Sequence, residues 1–256
     1  MGQQVETTRA RPFLTWTPCT LGDLVRAYFT YYAIMAYLLL AVLSIIAAVA
    51  WNQDTVMSLF AAALVVPVYP FIWYLLHRFV LHGRYLYKSA ATASLWKRIH
   101  FDHHQDPNDL GILFGALYTT LPTILVVTLP IGWVLAGPGG AAAALASGLI
   151  TTCFYEFCHC IQHLPFKPEY EWLKQIKKLH LAHHFHNEQG NFGITNFAAD
   201  KMLGTYYARP KDIARSATVF NLGYTAQEAE RYPWVARLSP ERRDEAPRKT
   251  DTPEAA

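Results

Sequence analysis

The chain has 256 residues, of which 52% are hydrophobic and only 16% charged, well below the roughly 25% charged content of soluble domains. Its net charge of +3 is mild, and no dense basic run with interleaved aromatics points to a nucleic-acid partner. An ordinary soluble globule is therefore excluded as the simplest reading, and a membrane protein takes its place.

In chain order, residues 1–26 contain Pro12, Pro18 and Gly22 and read as an N-terminal cytosolic arm leading to a short interfacial helix. The first apolar run starts too late and is too long for the core of a removable signal peptide. Lys and Arg are absent from Ala27 to His77 and again from Ile99 to Phe166, and the apolar runs lie in those two gaps. The first gap holds Ala27 to Trp51 and Thr55 to Leu76, separated by the polar "NQD"; the second holds Gly111 to Gly137 and Ala141 to Cys158, joined by the turn signal "PGG". Runs near the ~20 residues that cross a bilayer predict transmembrane helices. The expected fold is thus all-α and integral to the membrane, with four transmembrane helices in two hairpins and a cytosolic histidine-rich di-metal domain.

With four spans, the N-terminus, the Arg78–Arg98 connection and everything after Phe166 share one face. That face carries every Lys and Arg, and the positive-inside rule places it in the cytosol. A helix is predicted from Leu173 to His186, broken by "NEQGNFG". The membrane core is expected over residues 27–207, a small cytosolic cap over 208–237, and a disordered, charged tail over 238–256. Cys19, Cys153, Cys158 and Cys160 show no disulfide-framework spacing and are expected to be reduced thiols.

All 11 histidines fall into four clusters: "HRFVLH" (His77, His82), "HFDHH" (His100, His103, His104), "CHCIQH" (His159, His163) and "HLAHHFH" (His180, His183, His184, His186). A helix turns about 100° per residue, so each HxxHH triplet shares one face, as do His159 and His163. His77 and His82 come out about 140° apart on a continuous α-helix, which suits donation to two different metal ions better than to one. His186 points about 120° away from His180 and is left outside the ligand set. Spans 2 and 4 end at the first and third clusters, and the other two clusters lie in cytosolic segments, so all four meet on one side of the membrane. Ten imidazoles there suffice for two metals with about five nitrogen ligands each, and neutral imidazole suits iron, zinc, copper or nickel. Glu156 lies three residues before His159, inside a span, where an ionisable side chain is a functional candidate. It reads equally as a group that orients a histidine by accepting the N–H that faces away from the metal and as a satisfied interfacial carboxylate.

The order HxxxxH, HxxHH, HxxxH, HxxHH resembles the fatty acid hydroxylase/sterol desaturase superfamily of membrane di-iron oxygenases, most closely its fatty acid 2-hydroxylase branch. The similarity runs from about Pro70 to Tyr207 and includes "NFGITNFAADKMLGTYY". Ala199 departs from it, standing where relatives often place tryptophan. The resemblance implies metal ligation by His77, His82, His100, His103, His104, His159, His163, His180, His183 and His184. It further implies two iron ions, replaceable by zinc on purification, with O2 as co-substrate. The N-terminal arm has no histidine to hold a haem, so electrons are expected from a separate donor of cytochrome b5 or ferredoxin type.

The expected activity is hydroxylation of a C–H bond on a membrane lipid, a fatty acyl or sphingolipid-type chain. A carotenoid or sterol hydroxylase, or a desaturase, would use nearly the same ligands. A metal transporter is the rival from another class, although spans 1, 2 and 3 lack the polar ligands at mid-membrane that transport needs.

Overall fold

The computed structural model describes residues 20–238. The arm up to Cys19 and the tail beyond Leu238 lie outside the described residues. Within them the regular structure is helical: α1 (Leu21–Thr30), α2 (Tyr32–Ala50), α3 (Thr55–Leu75), α4 (Ala90–Trp96), α5 (Asp102–Gln105), α6 (Leu110–Leu113), α7 (Leu117–His163), α8 (Glu171–Phe185), α9 (Ala198–Met202), α10 (Ala226–Arg231) and α11 (Trp234–Arg237). The chain divides into two compact units. One comprises residues up to Tyr69 with Asn108–Lys178, the other Pro70–Pro107 with residues from Leu179 onward.

In the first unit, α1 and α2 are separate because Tyr31 between them is extended, at φ −77° and ψ 126°. The expected start of the first span at Ala27 therefore falls inside α1, and the long apolar helix begins at Tyr32. Among the described residues, three helices are long and apolar enough to cross a membrane: Tyr32–Ala50, Thr55–Leu81 and Leu117–His163. Large apolar side chains face outward along them, with Val126 74% and Val134 84% exposed, a surface that suits a bilayer and that water penalises.

The longest helix, α7, joins what the sequence divides into two apolar runs, and its backbone breaks at Ala136 and Gly137. Gly137 has φ +61°, a conformation that costs an L side chain energy, and Pro138 begins the second half as prolines often begin helices. The two halves lie against each other. A Cβ on Gly132 would sit 2.1 Å from the Gly140 carbonyl oxygen, and one on Gly148 would sit 2.5 Å from Thr128 Cγ2. The core of this unit gathers Leu24, Tyr28, Ile34, Tyr37, Leu149 and Ile161, among others, from α1, α2 and α7. α3 is tied to α7 by Ser147, which donates to the Ala62 carbonyl at 2.7 Å, and by Tyr69, which donates to Thr152 at 2.8 Å.

Small cores form among the described residues of the second unit. Tyr87, Ala93 and Trp96 pack with Leu222, Tyr224 and Val235 from the C-terminal segment. Tyr74 packs with Phe192 and Ala199. Trp96 spends its indole N–H on the Leu81 carbonyl at 2.8 Å, so α4 is fixed to the turn that ends the helix carrying His77.

Candidate metal centre

α3 does not stop as an α-helix but widens into a π-helical turn, Leu76–Leu81. The backbone N–H of His82 reaches back five residues to the His77 carbonyl at 3.0 Å. This wider turn rotates His82 onto the side of His77, and their Nε2 atoms lie 3.2 Å apart. The sequence expectation that these two residues diverge by about 140° assumed ordinary α-helical rotation; the π turn removes that divergence. A second π-helical turn, Lys97–Phe101, carries His100 into α5, with His100 Nε2 2.8 Å from His82 Nε2. Single π turns inside helices recur at functional sites.

In the second unit His77, His82, His104 and His183 each place one ring nitrogen within 4.8 Å of the others. Three of them are held from behind by main-chain carbonyls. His77 Nδ1 lies 2.7 Å from the Phe192 oxygen, His183 Nδ1 lies 2.8 Å from the Gly190 oxygen, and His104 Nδ1 lies 3.1 Å from the Val219 oxygen. A carbonyl can only accept, so Nδ1 must carry the proton in each case and the Nε2 lone pair points inward. Such an outer partner on a ligating imidazole fixes its tautomer and ring plane. Burial, followed by the neighbouring imidazoles, pushes His82 and His100 well below the ordinary histidine range, so both are neutral at physiological pH. Neutral rings with converging lone pairs, buried away from water, are the donor set that a divalent metal requires.

His103, His180 and His184 form a second convergence in the same unit, again with ring nitrogens within 4.8 Å of one another. Their rings lie 4.7 Å (His103 to His184) and 4.6 Å (His180 to His184) apart, centroid to centroid. Each HxxHH triplet is therefore divided. His104 and His183 turn to one group, while His103 turns to the other with His180 and His184. In the first unit, His159 and His163 at the end of α7 bring their Nε2 atoms to 3.2 Å, as their i, i+4 spacing requires.

His186 stands apart from both groups, its Nε2 2.9 Å from the Ile213 carbonyl. Glu156 is buried in α7, and its carboxylate accepts the Gly115 backbone N–H at 3.2 Å, which ties the loop before α7 to the helix. The carbonyl anchors at Gly190, Phe192 and Val219 escape a search by residue type. The only trace they leave in the sequence is the pair Gly190 and Gly193, which marks a tight loop.

The family model described as fatty acid hydroxylase matches residues 60–205. The ceramide very long chain fatty acid hydroxylase SCS7 of Saccharomyces cerevisiae is 30% identical over 162 residues, covering 60% of this chain and 40% of that protein. The dihydroceramide fatty acyl 2-hydroxylase FAH2 of Arabidopsis thaliana is 33% identical over 138 residues, covering 52% of this chain and 54% of that protein. The chain thus matches about half the length of these relatives. A solved structure of full-length scs7p, in which only the hydroxylase domain is visible, aligns with a TM-score of 0.60 at 30% identity, over 72% of this chain and 68% of that one.

Proposed function

Since the chain belongs to the fatty acid hydroxylase family, we propose that it is a membrane di-iron oxidoreductase that uses O2 to hydroxylate a C–H bond on a fatty acyl or ceramide-type chain. The observation that carries this reading is the convergent group of His77, His82, His104 and His183, three of them buried and His82 partly so, with three Nδ1 atoms committed to main-chain carbonyls. The proposed ligands are His77, His82, His100, His103, His104, His159, His163, His180, His183 and His184.

When bound, the two irons would pass donor electrons to O2 and so make it able to oxidise an unactivated C–H bond. The chain's own part is different. The carbonyl anchors hold the rings in one tautomer, and burial of His104 and His183 to 0% exposure keeps water from the reacting atoms. The lipid chain enters from the bilayer, which the apolar outer faces of α2, α3 and α7 suit. Electrons come from a separate donor of cytochrome b5 or ferredoxin type.

We propose four membrane crossings, with the break at Ala136 and Gly137 separating the third from the fourth and the histidines on the cytosolic face. The test pairs metal analysis of the purified protein with mass spectrometry of lipids from cells with and without the gene. One added oxygen on an acyl chain, together with two irons per chain, is the expected result. A loss of two hydrogens with no added oxygen reassigns the protein to desaturation, and a metal-free, lipid-silent protein refutes the reading.

A further inference from the structure

Behind His77 lies a buried carboxylate that the ligand set does not use. Asp200, 1% exposed at α9, accepts the Phe192 N–H at 2.8 Å through Oδ1 and the Gly193 N–H at 2.9 Å through Oδ2. The peptide between Phe192 and Gly193 is thus gripped at both ends: its N–H points to Asp200, and its carbonyl receives the Nδ1 proton of His77 at 2.7 Å. The sequence of groups is His77 Nδ1–H, peptide C=O, peptide N–H, Asp200 carboxylate. Negative charge on the N–H side polarises the peptide and makes its oxygen a stronger acceptor.

The carboxylate is itself held by a one-way chain. Arg78 donates to the Tyr74 hydroxyl at 2.7 Å, the Tyr74 hydroxyl lies 2.9 Å from Thr205 Oγ1, and Thr205 donates to Asp200 at 2.8 Å. A guanidinium can only donate and a carboxylate can only accept, so both hydroxyls point the same way, toward Asp200. Arg78 adjoins His77 in the π-helical turn, and the chain therefore locks that turn to the 190–205 loop. Space is already closed there, because a Cβ on Gly193 would lie 2.0 Å from the Asn196 carbonyl oxygen and 3.0 Å from Asp200 Oδ2.

We propose that Asp200 is a positioning residue of the metal centre, fixing the orientation and raising the donor strength of His77 through the Phe192–Gly193 peptide. The inference rests on the metal-centre reading above. It is a peptide-relayed form of the carboxylate–histidine–metal arrangement, whose disruption typically lowers metal affinity 10- to 100-fold.

The test uses the full chain, purified in detergent, stripped of metal and titrated with cobalt(II) against a competing chelator. Asp200→Asn keeps the shape but places an N–H donor against one of the two backbone N–H groups. It is expected to bind cobalt roughly 10- to 100-fold more weakly, with a shifted visible spectrum because one ligand is altered. Thr205→Val leaves the carboxylate in place and removes only its hydroxyl donor, so it is expected to show a smaller loss in the same direction. If Asp200→Asn does not fold, the Thr205→Val result decides the matter, and parent-like cobalt affinity there overturns the inference. Parent-like affinity and spectrum in Asp200→Asn also overturn it, as does weaker binding with an unchanged spectrum and a parallel fall in thermal stability. A parent protein that takes up no cobalt refutes the metal-centre reading instead.

Discussion

At the scale of single residues, histidines that look equivalent in sequence have unequal jobs. His183 is fully buried with its Nδ1 on Gly190, whereas His186, three residues on, is turned to the Ile213 carbonyl. His183→Ala is expected to lose metal and product together. His186→Ala is expected to retain both and to lose about 1 kcal/mol of stability for one hydrogen bond; metal analysis and thermal unfolding of the two variants separate these outcomes. The depressed pKa values of His82 and His100 also fix a direction with pH. Below about 6.5 the unfolded chain binds protons at these residues that the folded metal-free chain refuses. Stability of the metal-free protein is therefore full above that pH and falls as pH drops below it, which chelator-treated protein unfolded at pH 7.5, 6.0 and 5.0 would display.

At the scale of elements, hydrophobic run length was enough to locate the long helices, because a bilayer-length apolar segment has few alternatives. The four clusters were also legible, since they follow from residue identity and spacing. What escaped was local backbone form. The π turns at Leu76–Leu81 and Lys97–Phe101 carry no residue signature, and they decide how His77, His82 and His100 face. The extended Tyr31 that shortens the first span, and the Gly115 partner of Glu156, depend likewise on packing that pattern alone does not encode. The break in α7 gives a graded expectation. Gly137→Ala should cost about 1–3 kcal/mol, because φ +61° with ψ −149° is a conformation that essentially only glycine adopts. Gly132→Ala forces a methyl against the Gly140 backbone and should cost about 3 kcal/mol. Thermal unfolding in one detergent ranks the two, and a Gly132→Ala variant as stable as the parent would remove the close approach of the two halves.

At the scale of the whole molecule, the number of crossings separates two arrangements that the same helices allow. If α7 turns back at Gly137, Gln53 and Glu230 lie on opposite sides of the membrane; if it crosses once, they lie on the same side. Single cysteines introduced by Gln53→Cys and Glu230→Cys, probed with an impermeant thiol reagent in sealed vesicles, answer this. The expected pattern is labelling of one from outside and of the other only after permeabilisation. Both variants carry Cys19→Ser, and the remaining native Cys153, Cys158 and Cys160 are buried and should contribute little background.

The carbonyl anchors have one more consequence, which concerns how such a site drifts. The acceptors at Gly190, Phe192 and Val219 are main-chain atoms, so replacing the Val219 side chain by another of similar size leaves the His104 acceptor where it is. Mutational tolerance at these positions is then decoupled from their importance, and the intolerance is displaced to the residues that give the loop its path. Gly190 shows this directly, because a Cβ there would meet the Thr205 carbonyl oxygen at 2.4 Å. A substitution scan across residues 186–224 should therefore mark Gly190 and Gly193 as fragile and Val219 as permissive, although of these three it is Gly190 and Val219 that lend a carbonyl to a histidine.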